Sequence, residues 1–108
     1  MPVYLIVEIS VHDAETYERY KQLAPASIAA FGGRYLARGG RTEVLEGTWA
    51  PPRLVILEFP TMEQARAWWA SPEYAPAKAL RQASASTKML LLEGLANPPV
   101  ARAAGAAP

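Results

Sequence analysis

Residues 31–40 read Phe31-Gly32-Gly33-Arg34-Tyr35-Leu36-Ala37-Arg38-Gly39-Gly40, and this stretch decides how the chain divides into helices and strands. Glycine readily adopts the left-handed backbone that ends helices and forms tight turns, so each glycine pair marks a boundary. The residues between the two pairs therefore predict one short strand that carries two arginines.

The segment before this stretch predicts a strand followed by a helix. Apolar residues alternate from Val3 to Val11, which is the period of a strand with two different faces. Asp13 is a suitable N-cap, and an apolar stripe then continues to Phe31 at helical spacing. Pro25 lies inside this stripe, so we expect it to kink or interrupt the helix.

The segment after the stretch predicts two more strands and two helical pieces. Residues 53–59 are rich in aliphatic residues, and Thr61 with Gln64 has the spacing of a capping box. A further short helix follows Ser71, and residues 88–95 predict the last strand. The order βαββαβ predicts an α+β fold, the ferredoxin-like antiparallel sandwich with both helices on one face of a four-stranded sheet.

Size and composition predict one domain, residues 1–96, and a disordered tail, residues 97–108, rich in alanine and proline.

The net charge of +1 is too balanced for a nucleic-acid-binding protein. The third strand also lacks the exposed aromatic residues of an RNA-binding sheet. The N-terminus shows neither a signal peptide nor a membrane span, so we expect a cytoplasmic protein.

Composition also restricts the chemistry of any site. The chain has no cysteine, which excludes thiolate metal sites and cysteine nucleophiles, and His12 is its single histidine. His12 is the only candidate for a haem ligand or imidazole base. No second imidazole could complete a metal site, so we interpret His12 as a surface residue and expect neither metal nor cofactor.

The predicted sheet has one face that no helix covers. Tyr4, Ile6 and Glu8 of the first strand would lie there, next to the equivalent residues of the third strand, which are Leu54, Ile56 and Glu58. A monomer rarely exposes such a contiguous apolar surface. We therefore predict a homodimer that forms through these sheet faces and buries about 800 Å² per subunit.

Several linked motifs closely resemble the domain of unknown function 1330 family. They are FGGRYLARGG (31–40), VLEG (44–47) with Trp49, RLVILEFP (53–60), ARAWW (65–69), SPEY (71–74) and Leu80-Arg81. The resemblance covers residues 3–95 and implies a dimeric α/β barrel. That superfamily also includes cofactor-independent monooxygenases of antibiotic biosynthesis and some haem-binding enzymes. The family has no established reaction, so the resemblance implies no activity.

Charged side chains on the uncovered face are the first candidates for a ligand site. We expect Arg38 and Glu58 to meet across neighbouring strands, with Glu8 and Arg34 nearby. A guanidinium beside carboxylates in a half-buried cleft could bind an acidic or hydroxylated small molecule, and a desolvated glutamate could accept a proton. The alternative is a structural salt bridge at the dimer interface.

Aromatic side chains are the second group of candidates. Tyr17 and Tyr20 could line a pocket between helix and sheet, although their helical spacing is also that of ordinary core residues. Trp49 lies in a loop, outside the periodic pattern of the core residues. Its side chain could cover a pocket as a lid, hold the two subunits of a dimer together, or simply pack against the domain.

Together these features predict a dimeric protein that binds a small organic molecule in a cleft beside the sheet. Catalysis stays undecided; if it occurs, the absence of metal and nucleotide motifs favours cofactor-independent proton transfer or oxygenation. The alternative is a non-enzymatic assembly or regulatory module.

Overall fold

The computed structural model describes residues 1–96 and shows a four-stranded antiparallel sheet with three helices on one face. The predicted tail, residues 97–108, lies outside the described residues. In chain order the elements are β1 (Val3–Val11), α1 (Ala14–Ala30), β2 (Arg34–Arg38), β3 (Leu54–Phe59), α2 (Met62–Trp69), α3 (Ala75–Ser84) and β4 (Ala85–Glu93). The ferredoxin-like α+β fold is confirmed, with the second helical region divided into α2 and α3.

The sheet has the order β2-β3-β1-β4, so β1 and β3 are central and β2 and β4 form the edges. β4 begins at Ala85, directly after α3, and therefore three residues earlier than its sequence predicts. Its first residues pair with the end of β1, where Ala85 lies opposite Val11. The connection between β2 and β3 contains no helix or strand.

Alternation along the central strands separates a buried face from an open one. The helix-facing residues of β1 and β3 are buried, as predicted: Val3, Leu5, Val7, Ile9, Val55, Leu57 and Phe59. Trp68 of α2 and Tyr74 fill the space above them, with their ring centroids 4.0 Å apart. Trp69 does not join this core, because its side chain is 45% exposed and stacks under the Lys78 ammonium.

The opposite face of the sheet is not covered by any element of residues 1–96. Ile6 and Ile56 lie opposite one another at its centre and are half-buried. On β4, Leu90 and Leu92 are 57% and 52% exposed. Among the described residues, no helix combines the length and the apolar character needed to cross a bilayer.

Two of the glycines in the opening stretch have separate physical roles. Gly32 has φ +80°, the left-handed conformation that ends the helical segment. Gly33 has an ordinary backbone, but a Cβ there would lie 2.6 Å from the Phe59 ring and 2.8 Å from Ile28. The pair thus combines a helix stop with a close approach of the backbone to the core.

Candidate functional site

Helix α1 continues through Pro25, so of the two outcomes predicted there, a kink or an interruption, the interruption does not occur. Proline has no N–H, so the carbonyl of Lys21, four residues earlier, lacks its helical donor. Arg38 Nη2 donates to this carbonyl oxygen at 2.9 Å. The proline therefore leaves an acceptor open on α1, and β2 supplies the donor for it.

Arg38 can reach α1 because β2 contains a bulge. Tyr35 lies opposite Leu57 and Ala37 lies opposite Ile56, so Leu36 has no partner on β3. The extra residue reverses the alternation, and Arg38 lies opposite the buried residue Val55. The predicted contact between Arg38 and Glu58 is wrong, since regular alternation would have put both side chains on the open face.

Arg53 joins Arg38 on the helix side of the sheet. Arg53 Nε donates to the Tyr17 hydroxyl at 3.2 Å, and its guanidinium carbon lies 5.7 Å from the Tyr17 ring centre. Arg38 takes a similar position over Tyr35, at 4.5 Å. Gly39 has φ +68°, and a Cβ at this position would collide with the Arg53 guanidinium. Gly39 thus leaves room for the Arg53 side chain, whereas among the described residues Gly40 has no neighbour within 4 Å of such a Cβ.

The two arginines border an open cleft of about 440 Å³, together with Lys21, Glu18 and Gln22. Glu18 is the only acidic residue among these five, and its carboxylate lies 3.0 Å from Lys21 Nζ. Within residues 1–96, neither Arg38 nor Arg53 has a carboxylate oxygen within 4.0 Å. The cleft therefore has an excess of positive charge.

An internal cavity of about 20 Å³ lies between α1 and the sheet. Its lining shares Lys21, Arg38 and Arg53 with the open cleft, and it adds three tyrosines and the apolar side chains of the core: Tyr17, Tyr20, Tyr35, Leu5, Val7, Ile9, Val55, Leu57, Trp68 and Met89. This volume holds about one water molecule. The cavity can therefore take one small group behind a larger ligand.

Two tyrosines of the cavity, Tyr20 and Tyr35, have pKa values above the usual tyrosine value and keep their protons across the ordinary pH range. Burial, reinforced by the neighbouring Tyr74 hydroxyl, raises the pKa of Tyr20 far above its usual value. Burial also raises the pKa of Tyr35. The Tyr20 and Tyr74 hydroxyls lie 3.2 Å apart. The cavity thus offers neutral hydroxyl groups beside cationic arginines, a combination that hydrogen-bonds to an anion.

The other predicted site residues lie on the open face, away from the cleft. Arg34 Nε donates to Glu58 Oε1 at 2.7 Å near one end of β3. Trp49 Nε1 donates to Glu8 Oε1 at 2.7 Å near the other end. The register puts Glu58 opposite Tyr4 and Leu54 opposite Glu8, so the two pairs are separated along the sheet. The seven candidates therefore divide into a group at the cavity, Tyr17, Tyr20 and Arg38, and two open-face pairs.

The structure adds site residues that the sequence analysis missed. Arg53 alternates with Val55, Leu57 and Phe59, so the strand period could have placed it on the helix face. Tyr35 is a strand neighbour of Arg34 on the opposite face and follows from the same rule.

His12 is exposed, and within residues 1–96 no group of three histidine, cysteine or acidic side chains could hold a metal ion.

Solved structures with a similar fold come from several bacteria. A protein of unknown function from Rhodopseudomonas palustris is 20% identical, with a TM-score of 0.73 over 87% of this chain and 82% of that one. A dimeric ferredoxin-like protein of unknown function from Jannaschia sp. CCS1 is 13% identical, with a TM-score of 0.71 over 87% and 100% of the two chains. SnoaB, a cofactor-independent oxygenase from Streptomyces nogalater, is 15% identical, with a TM-score of 0.62 over 92% and 98%.

These similarities confirm the ferredoxin-like fold. No curated protein matches the chain in sequence. A family model, the domain of unknown function DUF1330, matches residues 2–95 and so includes the sheet, all three helices and the cleft. The chain therefore belongs to the DUF1330 family.

Proposed function

We propose that the protein binds a small organic anion in the cleft between α1 and the sheet. One observation carries this proposal: two guanidinium groups, Arg38 and Arg53, converge on the cleft and have no carboxylate partner among the described residues. Each is oriented by a tyrosine ring and by a hydrogen bond to α1, so its position is fixed in advance. Preorganised guanidinium forks favour carboxylates and phosphates.

The cavity behind the arginines adds an aromatic and apolar surface that a small group of the anion could contact. Tyr17, Tyr20 and Tyr35 line the cavity behind the arginines, above the aliphatic floor of the sheet. An aromatic carboxylate could place its charge on the arginines and keep its ring in the open cleft of about 440 Å³, while only a water-sized group of the ligand enters the cavity. Glu8, Arg34, Trp49 and Glu58 are excluded from this site by their position and are assigned to the open face instead.

Calorimetric titration with benzoate and benzamide tests this proposal, because the two molecules have similar shapes and only benzoate is charged. We expect benzoate to bind at least tenfold more tightly. Arg38→Gln should weaken benzoate binding by about tenfold or more, since a hydrogen bond to a charged group contributes about 1.5–3 kcal/mol. Arg19→Gln, at an exposed position of α1 that does not line the cleft, serves as the control. Equal affinities for the two molecules, or equal effects of the two variants, would refute the proposal.

We infer that the protein acts as a homodimer joined through its open sheet faces. Ile6, Ile56, Leu90 and Leu92 form a continuous apolar surface, and two similar structures are described as dimeric. Light scattering of Ile56→Arg should give a monomer, because an unpaired charge at the centre of the interface is costly to bury. Leu23→Arg, on the helix side, should stay dimeric. A monomeric wild type at micromolar concentration would contradict this inference.

A second candidate function is cofactor-independent turnover of the bound molecule. The specific support is the internal cavity beside the cleft, which is large enough for a water-sized reactant, together with the fold shared with SnoaB. The neutral Tyr20 and Tyr35 hydroxyls can donate hydrogen bonds, whereas among the described residues no unpaired carboxylate lines the cleft to act as a base. Oxygen consumption by the protein with each bound ligand tests this candidate, and ligand recovered unchanged would exclude it for that ligand.

The rival function is a non-enzymatic assembly or regulatory module. The Arg34–Glu58 and Trp49–Glu8 pairs support it, because both lie on the face that we assign to the dimer. A dimer whose melting temperature is unchanged by any anion in a metabolite screen would favour this rival, since a ligand of the native state must stabilise it. We also propose a cytoplasmic location for the protein. Fractionation of cells that express the full chain tests this proposal.

A further inference from the structure

Helix α3 carries a buried cation that the proposed function does not use. Arg81 lies on the same stripe as Ala77 and Ser84 and is only 5% exposed. Its Nε donates to the Tyr74 hydroxyl at 3.2 Å, and its Nη1 donates to Thr87 Oγ1 at 2.8 Å. No carboxylate of residues 1–96 lies within 4.0 Å of it. A buried charge with neutral partners alone is costly, which points to an anion that completes the site.

The guanidinium has donors that remain available for such an anion. Arginine has five N–H donors, and the two hydrogen bonds above use one each from Nε and Nη1. Among the described residues, Nη2 of Arg81 has no hydrogen-bond partner. Every fully buried side-chain nitrogen or oxygen in this part of the chain does have a partner, so Nη2 is not fully buried. Nη2 therefore reaches the surface, at the point where Arg81 lines a groove.

This groove has a volume of about 810 Å³ and lies between α2, the end of α3 and the edge strand β4. Its walls are mainly apolar and include Met62, Ala65, Trp69, Met89 and Leu91. A second cation, Arg66 of α2, also lines it and is exposed. Among residues 1–96, no acidic residue lines it. The volume lies in the range of small-molecule sites.

We propose that this groove binds an amphipathic carboxylate, with the carboxylate on Arg81 and Arg66 and an alkyl chain along the apolar wall. The tyrosine and threonine hydrogen bonds hold the Arg81 fork in place before the ligand arrives. The site is distinct from the α1 cleft: its cations, Arg81 and Arg66, differ from Arg38 and Arg53. Leu90 lines one edge of the groove and also belongs to the open face, whereas the helical wall lies on the other side of the sheet and stays accessible in a dimer formed through the open face.

Calorimetric titration with decanoate, decanol and decyltrimethylammonium tests the proposal on the full chain, since the three probes share a chain and differ in head-group charge. Decanoate should bind at least tenfold more tightly than decanol, in line with the contribution of a charged hydrogen bond, and the cation should not bind. No binding of decanoate, or equal binding of decanoate and decanol, would overturn the proposal.

Variants separate this groove from the α1 cleft. Arg66→Glu, at an exposed position that should not affect folding, is expected to weaken decanoate binding about tenfold, whereas Arg41→Glu in the exposed β2–β3 connection should leave it within about twofold. Arg81→Lys keeps the charge but loses the fork and should also weaken binding. Arg38→Gln should leave one decanoate site intact, because the α1 cleft and the groove use different arginines; if the variant abolishes all decanoate binding, the carboxylate occupies only the cleft and the groove proposal is wrong.

Discussion

Tyr74→Phe is the substitution for which the structure gives the sharpest stability prediction. The Tyr74 side chain is completely buried, and its hydroxyl lies between the Arg81 guanidinium and the Tyr20 hydroxyl, 3.2 Å from each. Phenylalanine keeps the ring and its stacking on Trp68, so the change removes hydrogen bonds and almost no packing. The variant leaves a charged donor, Arg81 Nε, buried without its acceptor.

The expected loss follows from these two hydrogen bonds. The bond from the guanidinium contributes about 1.5–3 kcal/mol and the bond between the two hydroxyls about 1 kcal/mol. We therefore expect Tyr74→Phe to lower the free energy of unfolding by about 3 kcal/mol. Tyr20→Phe removes only the neutral bond, and we expect a loss of about 1 kcal/mol. With a urea m-value of about 1.5 kcal/mol/M, the midpoints should fall by about 2 M and 0.7 M.

Urea unfolding followed by far-UV circular dichroism measures both variants under the same conditions. Equal midpoint shifts for Tyr74→Phe and Tyr20→Phe would show that the Arg81 bond contributes nothing beyond the neutral one. A loss below about 1 kcal/mol for Tyr74→Phe would refute the reasoning, because it would mean that the guanidinium finds another acceptor at no cost.

Three further predictions concern the core, the tyrosines and the bulge. Gly33→Ala should lower stability by about 1–3 kcal/mol, because its Cβ would overlap the Phe59 ring, and the melting temperature measures this. When the pH rises from 10 to 11, the free energy of unfolding measured with urea should fall by about 1 kcal/mol more for the wild type than for Tyr20→Phe. The reason is that the pKa of Tyr20 is raised in the folded protein, so in this pH range the Tyr20 hydroxyl ionises only in the unfolded chain. Deleting Leu36 should remove the bulge while keeping Arg38 on the helix face, so benzoate binding should survive; its loss would contradict the assigned register.

Periodicity was sufficient to predict the fold. The alternation in β1 and β3, the Asp13 and Thr61 caps and the Gly32 stop all report local backbone preferences, and the structure shows each of them. The start of β4 was predicted too late, because its first residues are small or polar and gain their strand conformation by pairing with the end of β1.

The candidate site was predictable only in part, for reasons that lie in tertiary contacts. Tyr17, Tyr20 and Arg38 do line one cavity. The partner of Arg38 could not be predicted, because the bulge at Leu36 has no glycine or proline to mark it. The helical spacing of Arg81 from Ala77 and Ser84 could have predicted that Arg81 is buried. Its role could not be predicted, because the hydrogen-bond partners of a buried cation follow only from the tertiary structure.

The contact between Pro25, Lys21 and Arg38 has a consequence for the order of folding. An interior proline costs a helix about 3 kcal/mol relative to alanine, so the segment of α1 alone should be a poor helix. Its missing donor comes from a strand 17 residues away in sequence, a short loop to close. We expect the second half of α1 to become helical only as β2 docks, so that the helix and the strand form in one step. A peptide of residues 13–33 should accordingly show less helix by circular dichroism than the same peptide with Pro25→Ala. Arg38 would then stabilise the fold during folding itself, whether or not a ligand binds.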